Sequence, residues 1–174
     1  LVPTDEDVPI AFLDVDNPRW SYSLPKALGE NLIANAHARW NSIRFINIYG
    51  PRQKDHFISE FVERAKNGVF EIYGNDTRSF CYVEDAVEML VNISESEKNG
   101  TYHVGNSEEL SIEHMARIIM EIMGYSNKSL KIYSSPKGSA SRRCPNVSKY
   151  EAHFGKFKFT KLEDGLEKTV RSYL

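Results

Sequence analysis

Apolar residues recur along the chain in two rhythms. Phe57, Ile58, Phe61, Val62 and Ala65 fall on one face of a 3.6-residue period and predict a helix from Asp55 to about Asn67. Val87, Leu90 and Ile93 predict another from about Glu84 to Ser96. Met115, Ile118, Ile119 and Ile122 form the stripe of a third, capped by Ser111 and stopped at Gly124. An earlier helix is expected from near Tyr22 through Leu28, Leu32 and Ile33 to about Ala38. It requires Pro25 in the first turn, where a missing N–H costs nothing. Thr160 with Glu163 has the form of a capping box opening a final helix through Leu166 and Val170. Runs rich in β-branched and aromatic residues predict strands at Ser42 to Gly50, Val69 to Gly74, Ser79 to Val83, Thr101 to Gly105 and Leu130 to Ser134. The first twenty residues, with Pro3, Pro9, Pro18 and a cluster of acids, predict no regular element. Strands alternate with helices through the middle, so the expected class is α/β with at least a partly parallel sheet. No internal repeat or low-complexity segment is present.

Composition narrows the function. The 174 residues are 41% apolar and 26% charged, enough for one domain with its own core. The mean hydropathy is −0.46, and no run approaches the roughly 20 apolar residues of a membrane span. The opening LVPTDEDVPI is acidic and proline-punctuated, and reads as neither a secretory signal nor a transit peptide. Lys+Arg 22 against Asp+Glu 24 leaves −2, without the basic excess of a nucleic-acid-binding domain. Cys81 and Cys144 have no paired spacing, which argues against a disulfide framework or a zinc site and for a reducing, cytoplasmic setting. His37, His56, His103, His114 and His153 show no metal-ligand spacing. The ten glycines are scattered singly, so any phosphate is held without a glycine-rich loop from this stretch of chain.

The sharpest local feature is YSLPK, Tyr22 to Lys26. A Tyr and a Lys four apart on a helix share one face. A phenol ordinarily titrates near 10, too high for a base at neutral pH, and a nearby ammonium favours the phenolate. Such a pair supplies a general acid/base for a hydroxyl group. The same spacing also arises in an ordinary amphipathic surface pair, and Glu30, one turn on, reads as a solvated helix residue.

Order along the chain adds to this. PRWSYSLPKALGE, RFINIYGPR, YGNDTRSFCYVEDAVEML, TYHVGNSEELSIEHMARII, RRCPNVSKYEAHFG and KLEDGLEKTV follow one another over essentially all 174 residues. This ordered set resembles the C-terminal half of the extended short-chain dehydrogenase/reductases, the NAD-dependent epimerases, dehydratases and decarboxylases of nucleotide sugars. The resemblance implies the C-terminal portion of a Rossmann-type NAD-binding fold plus a smaller α/β substrate-binding subdomain. Residues 1–50 would belong to the dinucleotide-binding domain and 51–174 mainly to the substrate subdomain, with 79–106 returning in part to the Rossmann sheet. It makes Tyr22 and Lys26 the catalytic pair, both also touching the cofactor, with Phe45 and Ile46 beside the nicotinamide. Asn47, Tyr73, Arg78, Arg142 and Arg143 would bind the substrate: Asn47 the sugar, Tyr73 the base, and Arg78 with one of the other two arginines the diphosphate. Plainer alternatives stay open, namely Asn47 as a strand-end cap and Arg78 as a surface ion-pair partner of Asp76.

The implied cofactor is NAD rather than NADP, the substrate a nucleotide sugar, and the complete enzyme a homodimer with no metal. The implied reaction is epimerisation or dehydration through a 4-keto sugar. Alternatives are decarboxylation of a sugar acid, which RWSY and Arg143 favour, an NADPH-dependent carbonyl reductase, and a non-catalytic nucleotide-diphosphate-binding module. The chain departs from the family pattern at Pro25, where a small hydroxyl residue is usual, at His103 and at Asn146. It also lacks the glycine-rich turn, the acidic ribose ligand and the Ser or Thr partner of the tyrosine. It is therefore expected to be inactive alone and to need that N-terminal half.

Overall fold

The computed structural model describes residues 2–12, 16, 18, 20–135 and 141–174. Its elements run α1 (Trp20–Ala34), β1 (Asn41–Phe45), β2 (Ile48–Tyr49), α2 (Phe57–Lys66), β3 (Glu71–Tyr73), β4 (Thr77–Ser79), β5 (Cys81–Tyr82) and α3 (Val83–Glu95). They continue as β6 (Gly100–Val104), β7 (Glu109–Ser111), α4 (Ile112–Ile122), β8 (Lys131–Tyr133), β9 (Arg142–Arg143), α5 (Ser148–Phe154) and α6 (Leu162–Arg171). Parallel pairing dominates, as an α/β chain requires. β1 pairs with β6, β2 with β5, and β3 with β8, all parallel, while β4 is flanked by antiparallel β7 and parallel β9.

The predicted strand from Ser42 to Gly50 is broken in two because Asn47 adopts a left-handed φ of 44°. That break turns the chain off the β1–β6 pair, whose last rung is Ile46 N–H donating to the Val104 carbonyl at 3.1 Å. The predicted strand from Ser79 to Val83 likewise divides at Phe80, with Ser79 ending β4 and Cys81 opening β5. Sequence patterning misses β7, β9 and α5, all shorter than eight residues. The Thr160–Glu163 capping box does not form. Lys161 is the N-cap of α6, and Thr160 instead donates its backbone N–H and its hydroxyl to buried Asp85, at 2.9 and 2.7 Å. Ser111 caps α4 as expected, accepting the His114 N–H at 3.1 Å.

Two cores result. The helical stripes of α2, α4 and α6 meet over β3, enclosing Phe61, Val62, Ile72, Met115, Ile119, Leu166 and Val170. Each such side chain contributes about 1.5–3 kcal/mol by leaving water. The second core lies between α3, β6 and α5, with Met89, Ile93, Tyr102, Val104 and Tyr150 at its centre.

Helix α1 differs from the rest: no residue of it is buried, and Leu24, Leu28 and Leu32 lie exposed along one side. It ends at Ala34 rather than near Ala38, where Asn35 donates its side-chain amide to the Asn31 carbonyl at 2.8 Å. Pro25 is its sixth residue, beyond the first turn, so the bond to the Ser21 carbonyl is forfeited. Glu30 is not a solvated residue. It grips Arg44 of β1 through two bonds of 2.8 and 2.7 Å, and Arg44 also donates to the Glu6 carbonyl at 3.0 Å. The segment before α1 is irregular where described, touching the body through a parallel bridge between Thr4 and Pro145. Residues 1, 13–15, 17 and 19 of that stretch lie outside the described residues.

Candidate active site

Tyr22 and Lys26 project from one face of α1, with the Lys26 ammonium 4.9 Å from the centre of the Tyr22 ring. Tyr22 is 74% exposed and forms one wall of a cavity of about 470 Å³. Asn47, Gln53, His56 and Arg143 supply its polar lining, and Phe45, Phe57 and Phe80 much of the rest. Tyr49 also lines it, but burial pushes that phenol well above its usual range. Tyr49 is therefore wall rather than acid or base, which leaves Tyr22 as the exposed phenol of the cavity.

The left-handed turn at Asn47 places its side chain beside β4, where its amide nitrogen donates to the Ser79 carbonyl at 2.8 Å. The residue thus ties two strands together and also lines the cavity. A second cavity of about 340 Å³ adjoins the first, sharing Phe45, Asn47 and Arg143 and adding Ile46, Arg44, His103 and Arg142. His103 is buried there. Its backbone N–H donates to the Glu6 carboxylate at 2.9 Å, and its Nδ1 lies 3.1 Å from the Asn146 carbonyl.

The two arginines of the doublet part company. Arg142 is held bidentately by Glu109 at 2.8 and 2.6 Å, and that partnership, with the Thr77 hydroxyl, brings the Glu109 carboxyl down to about 2. Arg143 has no ion-pair partner among the described residues and faces both cavities. It stands directly opposite Arg78 in the β4–β9 register. Burial first, and then the charge of Arg143, lower the pKa of the Arg78 guanidinium, against Asp76 at 3.3 Å. So Arg78 is both an ion-pair partner and half of an arginine pair.

Tyr73 does not line either cavity. It lies 55% exposed on β3, stacked on Tyr133 of β8 with ring centres 5.3 Å apart. Gln53 and His56 have no motif to announce them. They reach the cavity because the loop before α2 folds back through left-handed turns at Arg52 and Asp55. Both cysteines are buried and their thiols pushed up, Cys81 to about 12, so neither is a nucleophile at neutral pH. Among the described residues no helix is long and apolar enough to cross a membrane, and no group of three His, Cys, Asp or Glu is placed to hold a metal ion.

Residues 2–105 match the profile of the NAD dependent epimerase/dehydratase family. The chain belongs to that family. It is 30% identical to the UDP-N-acetyl-alpha-D-glucosaminuronate decarboxylase of Bacillus cytotoxicus, over 97% of this chain and 58% of that protein. It is also 30% identical to UDP-glucuronic acid decarboxylase 3 of Arabidopsis thaliana, over 85% of this chain and 46% of that one. Among solved structures, the Bordetella bronchiseptica enzyme WbmH in complex with NAD+ superposes with a TM-score of 0.86 at 21% identity. The match covers 98% of this chain and 56% of that one. A UDP-glucuronic acid 4-epimerase from Bacillus cereus, bound to NAD and a fluorinated UDP-glucuronic acid, gives 0.80 at 24% identity, covering 97% of this chain and 55% of that one. The family member thus spans about half the length of the relatives it matches. These structural likenesses establish a partial Rossmann-type α/β fold.

Proposed function

We propose that this chain is the substrate-binding and proton-transferring part of an NAD-dependent enzyme that acts on a nucleotide sugar acid and removes its carboxyl group. The observation that carries the reading is the convergence of Tyr22, Asn47 and Arg143, from α1, the β1–β2 turn and β9, on one cavity. The choice of decarboxylation over simple epimerisation or dehydration rests on the two UDP-sugar-acid decarboxylases matched above. The parallel pairing of β1 with β6 supports reading residues 1–50 and 79–106 as dinucleotide-domain strands, and the remainder of 51–174 as the substrate subdomain.

The residues present fit one end of NAD. Phe45 and Ile46 border an open cavity that adjoins the one walled by Tyr22, and Gly105 lets the chain after β6 pack closely under Ile46, since a Cβ on it would sit 3.1 Å from Ile46 Cβ. Lys26, beside the Tyr22 ring, would hold the ribose. When bound, the cofactor supplies a hydride acceptor for the sugar carbon. Tyr22 takes the sugar hydroxyl proton on its phenolic oxygen, and Lys26 keeps positive charge beside that ring. Asn47 accepts from a sugar hydroxyl through its side-chain carbonyl. Arg143 and Arg78, side by side, bind the diphosphate as planar forks. Tyr73, which lines neither cavity and stacks on Tyr133, takes no part in this reading. A uronic acid oxidised at C4 is a β-keto acid, which loses its carboxyl as CO₂.

The test is incubation of the natural full-length protein with NAD⁺ and UDP-glucuronic acid, with products read by mass spectrometry. Loss of CO₂ is the expected result. An isomer of unchanged mass would assign epimerisation instead, and UDP binding with no conversion would assign a non-catalytic module.

A further inference from the structure

The arginine doublet presents a selection problem. β9 is two residues long and both are arginine, so a one-residue slip against β4 would exchange one guanidinium for the other. The surrounding side chains do distinguish them. Thr77 stands opposite Arg142, Arg78 opposite Arg143, and Ser79 opposite Glu109 on the far strand. Since side chains alternate along a strand, Thr77, Ser79, Glu109 and Arg142 share one face of the β7–β4–β9 sheet. Arg78, Leu110 and Arg143 share the other.

On the first face, Arg142 donates to both oxygens of Glu109, from Nε at 2.8 Å and Nη2 at 2.6 Å, and Thr77 Oγ1 donates to the same carboxylate. This clasp reaches from β7 across the middle strand to β9. On the second face, Arg143 makes no ion pair among the described residues and walls the cavity that holds Tyr22. In the slipped register Arg143 would enter the clasp and Arg142 would lie off the strand, opposite the segment before β4.

We infer that Glu109 is a positioning residue: by clasping Arg142 it holds β9 in register and delivers Arg143, not Arg142, to the cavity walled by Tyr22. The inference rests on the reading that this cavity takes a nucleotide sugar. Glu109 itself touches no substrate. It acts through the alternation of a two-residue strand.

The test uses the natural full-length protein, with UDP binding measured by calorimetry and kcat and KM measured with UDP-glucuronic acid and NAD⁺. Glu109→Gln is expected to weaken UDP binding and raise KM by roughly tenfold, the scale of one net hydrogen bond lost, with kcat unchanged. In an Arg143→Met background the same substitution adds nothing, because its effect is already spent. The reversed pair, Glu109→Arg with Arg142→Glu, restores UDP binding. Thr77→Val, which removes one bond of the clasp, weakens UDP binding by about two- to threefold and serves if Glu109→Gln fails to fold. UDP binding unchanged in Glu109→Gln and Thr77→Val, or weakened equally with and without Arg143, overturns the inference. Those outcomes with a damaging Arg143→Met leave the cavity reading standing, whereas a silent Arg143→Met overturns both.

Discussion

Replacing Arg44 by Met should loosen α1 without unfolding the rest. The helix buries no residue of its own, so the clasp between Glu30 and Arg44 is a principal tether to β1. Its partners are about a quarter exposed, at 22% and 25% of their side-chain surface. Fully exposed pairs contribute about 0–1 kcal/mol, and breaking a buried pair costs about 3–5 kcal/mol. A bidentate pair at this depth, with a third bond from Arg44 to the Glu6 carbonyl, falls between them at about 2 kcal/mol. That multiplies the undocked fraction of α1 by roughly 30. Native-state hydrogen exchange read by mass spectrometry separates this local event from global unfolding. Peptides covering α1 should lose protection by that factor, while those covering β6 and α4 keep theirs. Arg44→Lys, which keeps the charge but not the planar fork, should fall between. The pH dependence follows the same pair. The Glu30 carboxyl lies below its usual value of 4.5, chiefly through the Arg44 hydrogen bond, with burial opposing. Its stabilisation is therefore complete above the unfolded value and disappears as pH falls through the lowered one. Uniform loss of protection along the chain, or none in α1, would refute the tether.

Three further outcomes are expected. If Tyr22 transfers the proton as proposed, Tyr22→Phe should cut turnover by about 10²–10⁴-fold while leaving UDP affinity unchanged, since only its hydroxyl is removed; calorimetry beside steady-state kinetics checks this. Gly165→Ala should lower the urea midpoint by an amount equivalent to about 1–3 kcal/mol, because the new Cβ would sit 2.4 Å from the Tyr49 hydroxyl and 3.2 Å from Tyr82 Cδ2. Met115→Ala, in the fully buried core of α4, should cost about 2–5 kcal/mol in the same assay.

Elements with a long apolar period are legible in the sequence. The stripes of α2 and α4 fix both their helices and the core they share, and Ser111 marks its cap correctly. Failures follow from physics that lies outside local pattern. Asn tolerates the left-handed region better than most residues, but the β-rich pattern around Asn47 gives no sign that it turns there, and that single φ divides one strand and brings the residue to the site. Thr160 reads as a cap only until Asp85, 75 positions earlier in the chain, competes for the same donors. In the site, the Tyr22–Lys26 spacing carried its own geometry. The choice between Arg142 and Arg143 did not, because it depends on the register of a strand two residues long. Gln53 and His56 were invisible for a similar reason: a loop's path, not a motif, brings them to the cavity.

The cavity's composition has a consequence for synthesis. Its walls come from α1 near one end of the sequence and from β9 near the other, so Tyr22 leaves the ribosome well before Arg143. At roughly 5–20 residues per second, several seconds pass in which the Tyr22 phenol exists without the arginine that shares its cavity. In the last part of that interval, once β7 has emerged, β4 has one flank and waits for the other. If the cavity takes a nucleotide sugar as proposed, binding requires a chain that has emerged past β9, and nucleotide affinity would then report completed folding on a nascent polypeptide.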